Sequence, residues 1–560
     1  MKKLILLTTL LLAFACSKGE DTNSVPQSVI QNPTTEQKSE TPTTEQQTEA
    51  STTESYYVSL NYGEKIEGGK ININEGNYDE GKDLSIIATP DDDYYFYAWK
   101  NFTVTGVNSS GSDTWSKHSS FGSFNNEIQI TVNNKFNLIP IFLKKSPLNQ
   151  SKSWDFQGFV TPGFTGLGAG LLFDELEEVA VRNTNRALNK IIENGGNSIV
   201  LDYHIQHKGG VNGNQISIEN NQQFMQIVSI GKMAEKLGIN LTLKPVLLTE
   251  SHINKNIEYY DWSQILPSSP NTFFNNYLSV LEQTASLIKE HNLLIEKWVI
   301  TNELVSLTTN ESFSSEWISI ITKLKSIVDI NLGFNVRATN TEHVASRKCS
   351  DNNVQEYALV PDEVYNQLDF IGLSIYRASA WANNKAQNAT LSQELYAEYW
   401  HNGPFIELNF DNNSCGECVK KDCEYSFGIN YVDELNEFIS SKNKDIYISE
   451  FGAMPYKNLT SPDWNNTNLN VELDLELQKE YILATLNVFK NSVIGLKGVN
   501  GYMFPLQEKL ESQNEIDAQL KNNWFNDNYW ILGKLIAGNE YEWNINEKPA
   551  LNAFKQYYIN

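Results

Sequence analysis

The sequence predicts an α/β protein, a (β/α)8 TIM barrel with a small all-β domain on its N-terminal side. Three observations point there. From about residue 150 to the end, near-continuous apolar segments alternate with helix-period stretches. Strands buried on both faces, as in a parallel barrel, read as such unbroken apolar runs. Ahead of them, residues 56–145 hold short alternating segments separated by Gly, Asn and Asp turns, the pattern of a small all-β module.

The barrel region offers eight strand candidates in order: "WDFQGFVTP", "NSIVLDYHI", "NLTLKPVLL", "KWVITNE", "LGFNVRAT", "FIGLSIY", "DIYISE" and "GVNGYMFPL". Helix-period stretches such as "DELEEVAVRNTNRALNKIIENG" and "NQQFMQIVSIGKMAEKLG" lie between most of them. No glycine-rich phosphate loop follows the first strand, which argues against an open doubly wound sheet. Residues 150–560 exceed the roughly 250 residues of an ordinary barrel, so several loops must carry insertions. The longest gap lies between Tyr376 and Asp445.

The first fifteen residues read as a lipoprotein signal peptide. Lys2 and Lys3 form a basic start and Leu4–Leu12 an apolar core too short to span a bilayer. Ala13 and Ala15 then make a small-x-small cleavage pattern before Cys16, the residue expected to be lipidated. The following "SKGED" resembles the acidic surface-export tag of bacterial lipoproteins. Residues 16–55 are rich in Ser, Thr, Gln, Glu and Pro with almost no large apolar side chain, and are expected to form a disordered tether. The expected location is the outer membrane, surface-exposed or periplasm-facing, with membrane contact through the lipid only. The formal charge of −25 disfavours nucleic acid as a partner and is compatible with a neutral substrate. A monomer is expected.

In a barrel, catalytic groups project from the C-terminal ends of the strands. Glu303 ends the fourth candidate and Glu450 the seventh. Two carboxylates facing each other across the mouth are what a retaining glycosidase needs, about 5–5.5 Å apart. One acts as acid and base and the other as nucleophile, with no cofactor. Mutual repulsion and burial are expected to keep Glu303 protonated, while hydrogen bonds keep Glu450 ionised. A lone strand-terminal Glu would more often be a helix N-terminal residue or a surface charge.

These residues carry a resemblance. "TNEL" and "ISEFG" resemble the acid/base and nucleophile motifs of clan A glycoside hydrolases, and the segments between them resemble family 113 β-mannanases. "GKMAEKLGINLTLKP", "DWSQILPSSPNTFFNNY", "SEWISIITKLKSI", "LDFIGLSIY" and "QKEYILATL" continue the likeness in order over most of residues 150–540. It implies a retaining endo-glycosidase acting on β-1,4-mannan or another neutral β-linked polysaccharide. It makes Glu303 the acid/base and Glu450 the nucleophile. It also implies that Asn302 holds a sugar 2-hydroxyl and that Tyr376 hydrogen-bonds the nucleophile. Lys244 either contacts sugar or pairs with a buried carboxylate. The sequence departs from the family pattern at Val246, where His is usual, and at Phe504, where a Trp floors the sugar at the cleavage point. Those departures touch substrate contacts rather than the carboxylate pair. Separately, "GNYDEGKDLSIIATPDDDYYFYAW" resembles an InlB-type B-repeat, read here as a spacer with Trp99 in its core.

Other residues leave alternatives open. Trp262, Trp381, Trp400, Trp464, Trp524 and Trp530 could stack on sugars, although about half of such loop tryptophans are core. His204 and His207 in "YHIQHK" invite a metal reading, but two histidines without a third ligand favour sugar contact or plain structure. With Cys16 lipidated, Cys349, Cys415, Cys418 and Cys423 form either two disulfides or a structural zinc site.

Overall fold

The computed structural model describes residues 54–63, 65–107, 113–117, 124–149, 151–161, 175–218, 222–253, 260, 262–338, 356–376, 392–407, 424–453, 474–502, 504 and 548–559. The signal peptide, Cys16, nearly all of the tether, the other four cysteines and Trp381, Trp464, Trp524 and Trp530 lie outside them. Among the described residues, no helix is long and apolar enough to cross a membrane.

Eight parallel strands close into a barrel. They are β1 (Phe156–Thr161), β2 (Ser198–Lys208), β3 (Asn240–Thr249), β4 (Lys297–Asn302), β5 (Asn331–Arg337), β6 (Phe370–Ile375), β7 (Asp445–Phe451) and β8 (Gly498–Tyr502). Each pairs with the next, and β8 returns to β1, which pairs with β2. All eight predicted segments therefore form the strands assigned to them. β2 runs longer than its apolar core because its end also pairs antiparallel with Gln215–Ile218.

The helices that cover the barrel include α1 (Glu175–Glu193), α2 (Gln222–Leu237), α3 (Pro270–Glu290), α4 (Ser314–Lys325), α5 (Gln393–His401), α6 (Tyr431–Ser441), α7 (Leu475–Asn491) and α8 (Pro549–Ile559). Local chemistry marks several starts. Pro270 opens α3, where its missing N–H is harmless. Asn430 caps α6 by accepting from Asp433 N at 3.2 Å, and Asp474 caps α7 by accepting from Leu477 N at 2.8 Å.

The barrel is plugged at the end away from the carboxylates. Phe156, Val299, Phe370 and Tyr447 pack there, and Lys297 Nζ lies 3.0 Å from the Phe156 ring centroid. Burial depresses the Lys297 ammonium to about 8, against the opposing pull of Glu296 and Asp445. This contact closes the floor of the barrel.

The N-terminal β-module has a core of its own, with Val58, Ile86, Trp99 and Phe142 among its members. Trp99 is fully buried and donates from Nε1 to Asn125 O at 3.0 Å, so it is a packing residue. The module's other face shares the barrel's core. Strand Tyr94–Val107 carries a bulge between Phe96 and Ala98. Phe96 and Trp99 turn inward, while Tyr95 and Tyr97 join the cluster that includes α1. Tyr95 Oη donates to Asn185 Oδ1 at 2.8 Å, and the Asn185 and Asn189 amides each donate to Lys144 O at 3.1 Å. The sequence shows a separate pattern but not which face of it is sticky.

Closure depends on small residues at its seams, Gly158 the tightest of them. A Cβ on Gly158 would lie 1.7 Å from the Ser198 carbonyl oxygen, on the partner strand that completes the ring. Gly158→Ala is expected to lower stability by about 3 kcal/mol or more, read as a shift of the urea midpoint at unchanged slope.

Candidate active site

Glu303 and Glu450 both reach the barrel interior, and both arrive there after a bulge. In β4 the register with β5 skips Ile300, pairing Val299 with Gly333 and Thr301 with Phe334. In β7 the register with β6 skips Ser449, pairing Ile448 with Leu373 and Glu450 with Ser374. Side chains alternate along a regular strand, so an extra residue re-aims everything beyond it. After the β7 bulge, Ser449 and Glu450 both face inward: Ser449 hydrogen-bonds Asn335, and Glu450 accepts from Ser374.

Glu303 sits just past β4 with φ of 52°, a left-handed conformation rare for a residue with a side chain. The surroundings hold it there. Its N–H donates to Asn335 O at 2.9 Å, and its carbonyl accepts from Val305 N at 2.9 Å around Leu304. Such strain, of order 1–3 kcal/mol, persists only where the neighbourhood over-determines it.

Each carboxylate has its own cation. Lys244 Nζ donates to Glu450 Oε2 at 2.6 Å and lies 3.2 Å from Asp202 Oδ1. Ser374 Oγ donates to the other oxygen of Glu450 at 2.6 Å. Arg337 Nε donates to Glu303 Oε2 at 2.8 Å. Asp202, Lys244, Glu303 and Glu450 are all buried. Of the two roles the sequence left open for Lys244, carboxylate pairing is the one its geometry meets.

These pairings correct the expected protonation of Glu303. Burial does push its carboxyl upward, but the charge and hydrogen bond of Arg337, with help from Ser374 and Lys244, bring it below the usual glutamate value. The group that burial raises is Asp202, to about 7, despite the neighbouring Lys244 and with Glu450 adding to the rise. Burial opposes the Lys244 ammonium, yet Asp202, Glu450 and Glu303 more than offset it and hold it charged.

The other predicted residues divide. Asn302 is buried at the end of β4, where its Oδ1 accepts from Asn335 Nδ2 at 2.6 Å. That bond fixes the amide and leaves its NH2 end as the donor. Tyr376 follows β6 with its ring edge-on to Tyr502 at 5.8 Å. Burial raises its phenol, and Glu450 is the strongest charge acting on it. Trp262 is half-buried on a turn after β3 and packs against the barrel core.

His204 lies in register with Val246, and burial pushes its imidazole down to about 3, so it is neutral. His207 sits three residues on, across the strand, with Nδ1 3.1 Å from Tyr260 Oη and Nε2 3.0 Å from Gly213 O. The two rings face opposite sides, so they do not form a ligand pair. Among the described residues, no cluster of three metal-ligating side chains occurs.

One aromatic assignment is corrected, and one left open is decided. Phe504 is fully buried, its ring 5.1 Å from Phe159, and serves packing rather than presenting a face to sugar. Trp400 is likewise buried, against Phe489 at 5.2 Å.

Sequence reasoning missed Asp202, Arg337, Asn335 and Ser374. A signal existed for two of them. Asp202 interrupts the apolar run "SIVLDY", and Arg337 ends "LGFNVR" as Glu303 follows "KWVITN".

Fold and site together define a (β/α)8 barrel with paired, buried carboxylates at the ends of β4 and β7. Among solved structures, the chain is similar to the GH113 beta-mannanase of Alicyclobacillus acidocaldarius in complex with ManMIm. Identity is 13%, 73% of this chain and 98% of that chain are covered, and the TM-score is 0.45. It is also similar to the Ignisphaera aggregans GH53 catalytic domain, at 11% identity, 64% and 87% coverage and a TM-score of 0.35. For the beta-D-glucuronidase of Dictyoglomus thermophilum the figures are 11%, 82% and 64%, and 0.34. Residues 63–120 match the family described as a divergent InlB B-repeat domain. No curated protein matches the chain.

Removing the shared cation tests this electrostatic arrangement. Lys244→Met leaves two buried carboxylates facing each other, and stability near about pH 8 is expected to fall by roughly 3–5 kcal/mol. The folded value of Asp202 lies above its ordinary 3.8, so its contribution to folding is full below 3.8 and is lost as pH rises through about 7. Without the ammonium, which lowers it, Asp202 rises further, so the variant gains more than the unaltered protein as pH falls and the deficit should shrink in acid, as denaturation curves across pH would record. Arg337→Gln is expected to raise the Glu303 carboxyl, visible in carbon-13 NMR titration of labelled glutamate side chains.

Proposed function

We propose that the protein is a retaining endo-glycosidase acting on a neutral β-linked polysaccharide, with β-1,4-mannan the first candidate. One observation carries this reading: two buried carboxylates, each re-aimed by its own bulge, are held by different partners at one end of a closed barrel. The choice of mannan rests on the sequence resemblance to family 113.

The partners suit the two roles. Glu450, with Lys244 on one oxygen and Ser374 on the other, is poised as an ionised nucleophile. An oxygen of Glu450 attacks the anomeric carbon and the glycosidic C–O bond breaks. The departing electron pair goes to the leaving oxygen, which takes the proton of Glu303. In the second step ionised Glu303 removes a proton from water, and the resulting oxygen displaces Glu450 from the anomeric carbon. Arg337 favours the ionised form that this second step needs. The amide of Asn302 would donate to the 2-hydroxyl, and the Tyr376 phenol would orient Glu450.

The same proposal places the protein on an outer membrane through a lipid on Cys16, with residues 16–55 as tether. Metabolic labelling with a fatty acid, lost in Cys16→Ala, would test the anchor.

Reducing-sugar release from glucomannan, galactomannan, β-1,4-mannan, β-1,3-glucan, mixed-linkage glucan and β-1,4-galactan tests the chemistry. Release is expected from the mannans, with the anomeric configuration retained. Glu450→Ala should abolish it, and Glu303→Gln should lower it roughly 100- to 10,000-fold. Release from another glycan alone would keep the carboxylate pair and discard mannan. Binding without release, unchanged in Glu450→Ala, would instead identify a glycan-binding protein.

A further inference from the structure

The site encloses three carboxylates, on Asp202, Glu303 and Glu450, with two cations, Lys244 and Arg337. Fully ionised, this cluster would carry one net negative charge in a place where water is scarce. Uncompensated buried charge is strongly disfavoured, so the cluster favours binding one proton.

The partners decide where that proton resides. Glu450 has an ammonium and a hydroxyl, each at 2.6 Å. Glu303 has the Arg337 guanidinium at 2.8 Å. Among the described residues, Asp202 has only its share of Lys244, at 3.2 Å, and its Oδ1 makes no well-formed hydrogen bond. Asp202 is therefore the carboxylate least compensated as an anion.

Among the described residues, the other groups facing this space do not change the count. His204, two residues along β2, is kept neutral by burial. The Tyr376 phenol beyond β6 is raised by burial and by the nearby Glu450 charge, and so stays protonated. Lys244 comes from β3, Glu303 from the end of β4, Arg337 from β5 and Glu450 from β7.

We propose that Asp202 holds the proton of the resting site and that this same proton, relocated to Glu303, supplies the acid step, making Asp202 a positioning residue for catalysis. The inference rests on the glycosidase reading for its catalytic half only. The exchange conserves charge. Asp202 loses the proton and becomes a carboxylate, Glu303 gains it, and the cluster remains neutral throughout. Burial raises Asp202 to about 7 while Arg337 keeps Glu303 below its ordinary 4.5, consistent with that resting distribution. Because the two sites exchange one proton, the pair titrates as a unit rather than as separate groups.

The consequence is specific. With Asp202 ionised, the competent state, Glu303 protonated and Glu450 ionised, has no net charge. In Asp202→Asn the same state carries one positive charge, so Glu303 gives up its proton more readily. The alkaline limb of the kcat/KM profile should move from near 7 in the unaltered protein to below 4.5 in Asp202→Asn, with turnover surviving on the acid side. A rate lowered equally at every pH, with the limb unmoved, would reduce Asp202 to a structural role and overturn the proposal.

A second readout needs neither turnover nor a variant. Infrared spectra of the unaltered protein should contain a protonated carboxylic acid band that disappears as pH rises through about 7. Carbon-13 labelling of aspartate carboxyls should shift that band, and labelling of glutamate should not. A band that follows the glutamate label, or no such band, would overturn the resting assignment. If no polysaccharide is cleaved while the band follows aspartate, the glycosidase reading fails and the proton on Asp202 stands.

Discussion

The rest of the site depends on a buried ammonium. Lys244 is almost entirely removed from water, and an ammonium so placed costs several kcal/mol unless it is closely paired. Asp202 is its direct neighbour in the register of β2 and β3, so that contact is written into local strand pairing. Glu450 is not local: it comes from β7, across the barrel, and reaches Lys244 only when the ring is closed. Closure through Gly158 and the β1–β2 pairing is thus an electrostatic condition as well as a packing one. The same lysine bridges Glu450 and Asp202, so one cation serves both carboxylates.

Regular strand geometry could not deliver both glutamates. Without the skipped residues at Ile300 and Ser449, the alternation of β4 and β7 would turn the following side chains the other way. The left-handed backbone at Glu303 is a further local cost, offset by bonds from the Asn335 carbonyl and around Leu304. Asn335 contributes twice, through its carbonyl to the Glu303 backbone and through its amide to Asn302 and Ser374. A buried amide committed in this way links β4, β5 and β6 into one rigid rim.

The sequence made the barrel readable because parallel strands buried on both faces are apolar without interruption, and a charge at such a strand's end stands out. Glu303 and Glu450 were legible for that reason. The protonation of Glu303 was not, because it takes its partner from the next strand, and no local pattern tells which strand-terminal arginine turns inward. Asp202 was marked by interrupting an apolar run, but it lies within its strand rather than at the end, where attention to strand-terminal charges falls. The bulges that re-aim the carboxylates leave no mark in composition. Phe504 failed differently, and Trp400 was left open, for one reason: an aromatic residue beyond a strand or on a helix can face a cleft or a core, and only the neighbouring Phe159 and Phe489 decide. The InlB-like pattern foretold a β-module but not its second face, since Tyr95 and Tyr97 alternate with Phe96 as any half-buried strand would.

The pairing of charges also bears on what the site can accept. The chain carries a formal charge of −25, which repels anionic polymers at long range. A site for acidic sugars would need cations aimed at the ligand to overcome that field. Here Lys244 is bracketed by Asp202 and Glu450, and Arg337 faces Glu303, so the positive groups among the described site residues answer carboxylates of the protein itself. A carboxylate or sulfate on the substrate would have to compete with those internal pairs, and displacing one would leave a buried glutamate or aspartate uncompensated. A neutral sugar asks for no such exchange. On the proposed glycosidase reading, its hydroxyls would need donors and acceptors of the kind the Asn302 amide offers, and the ion pairs would stay intact until the glycosidic bond itself developed charge.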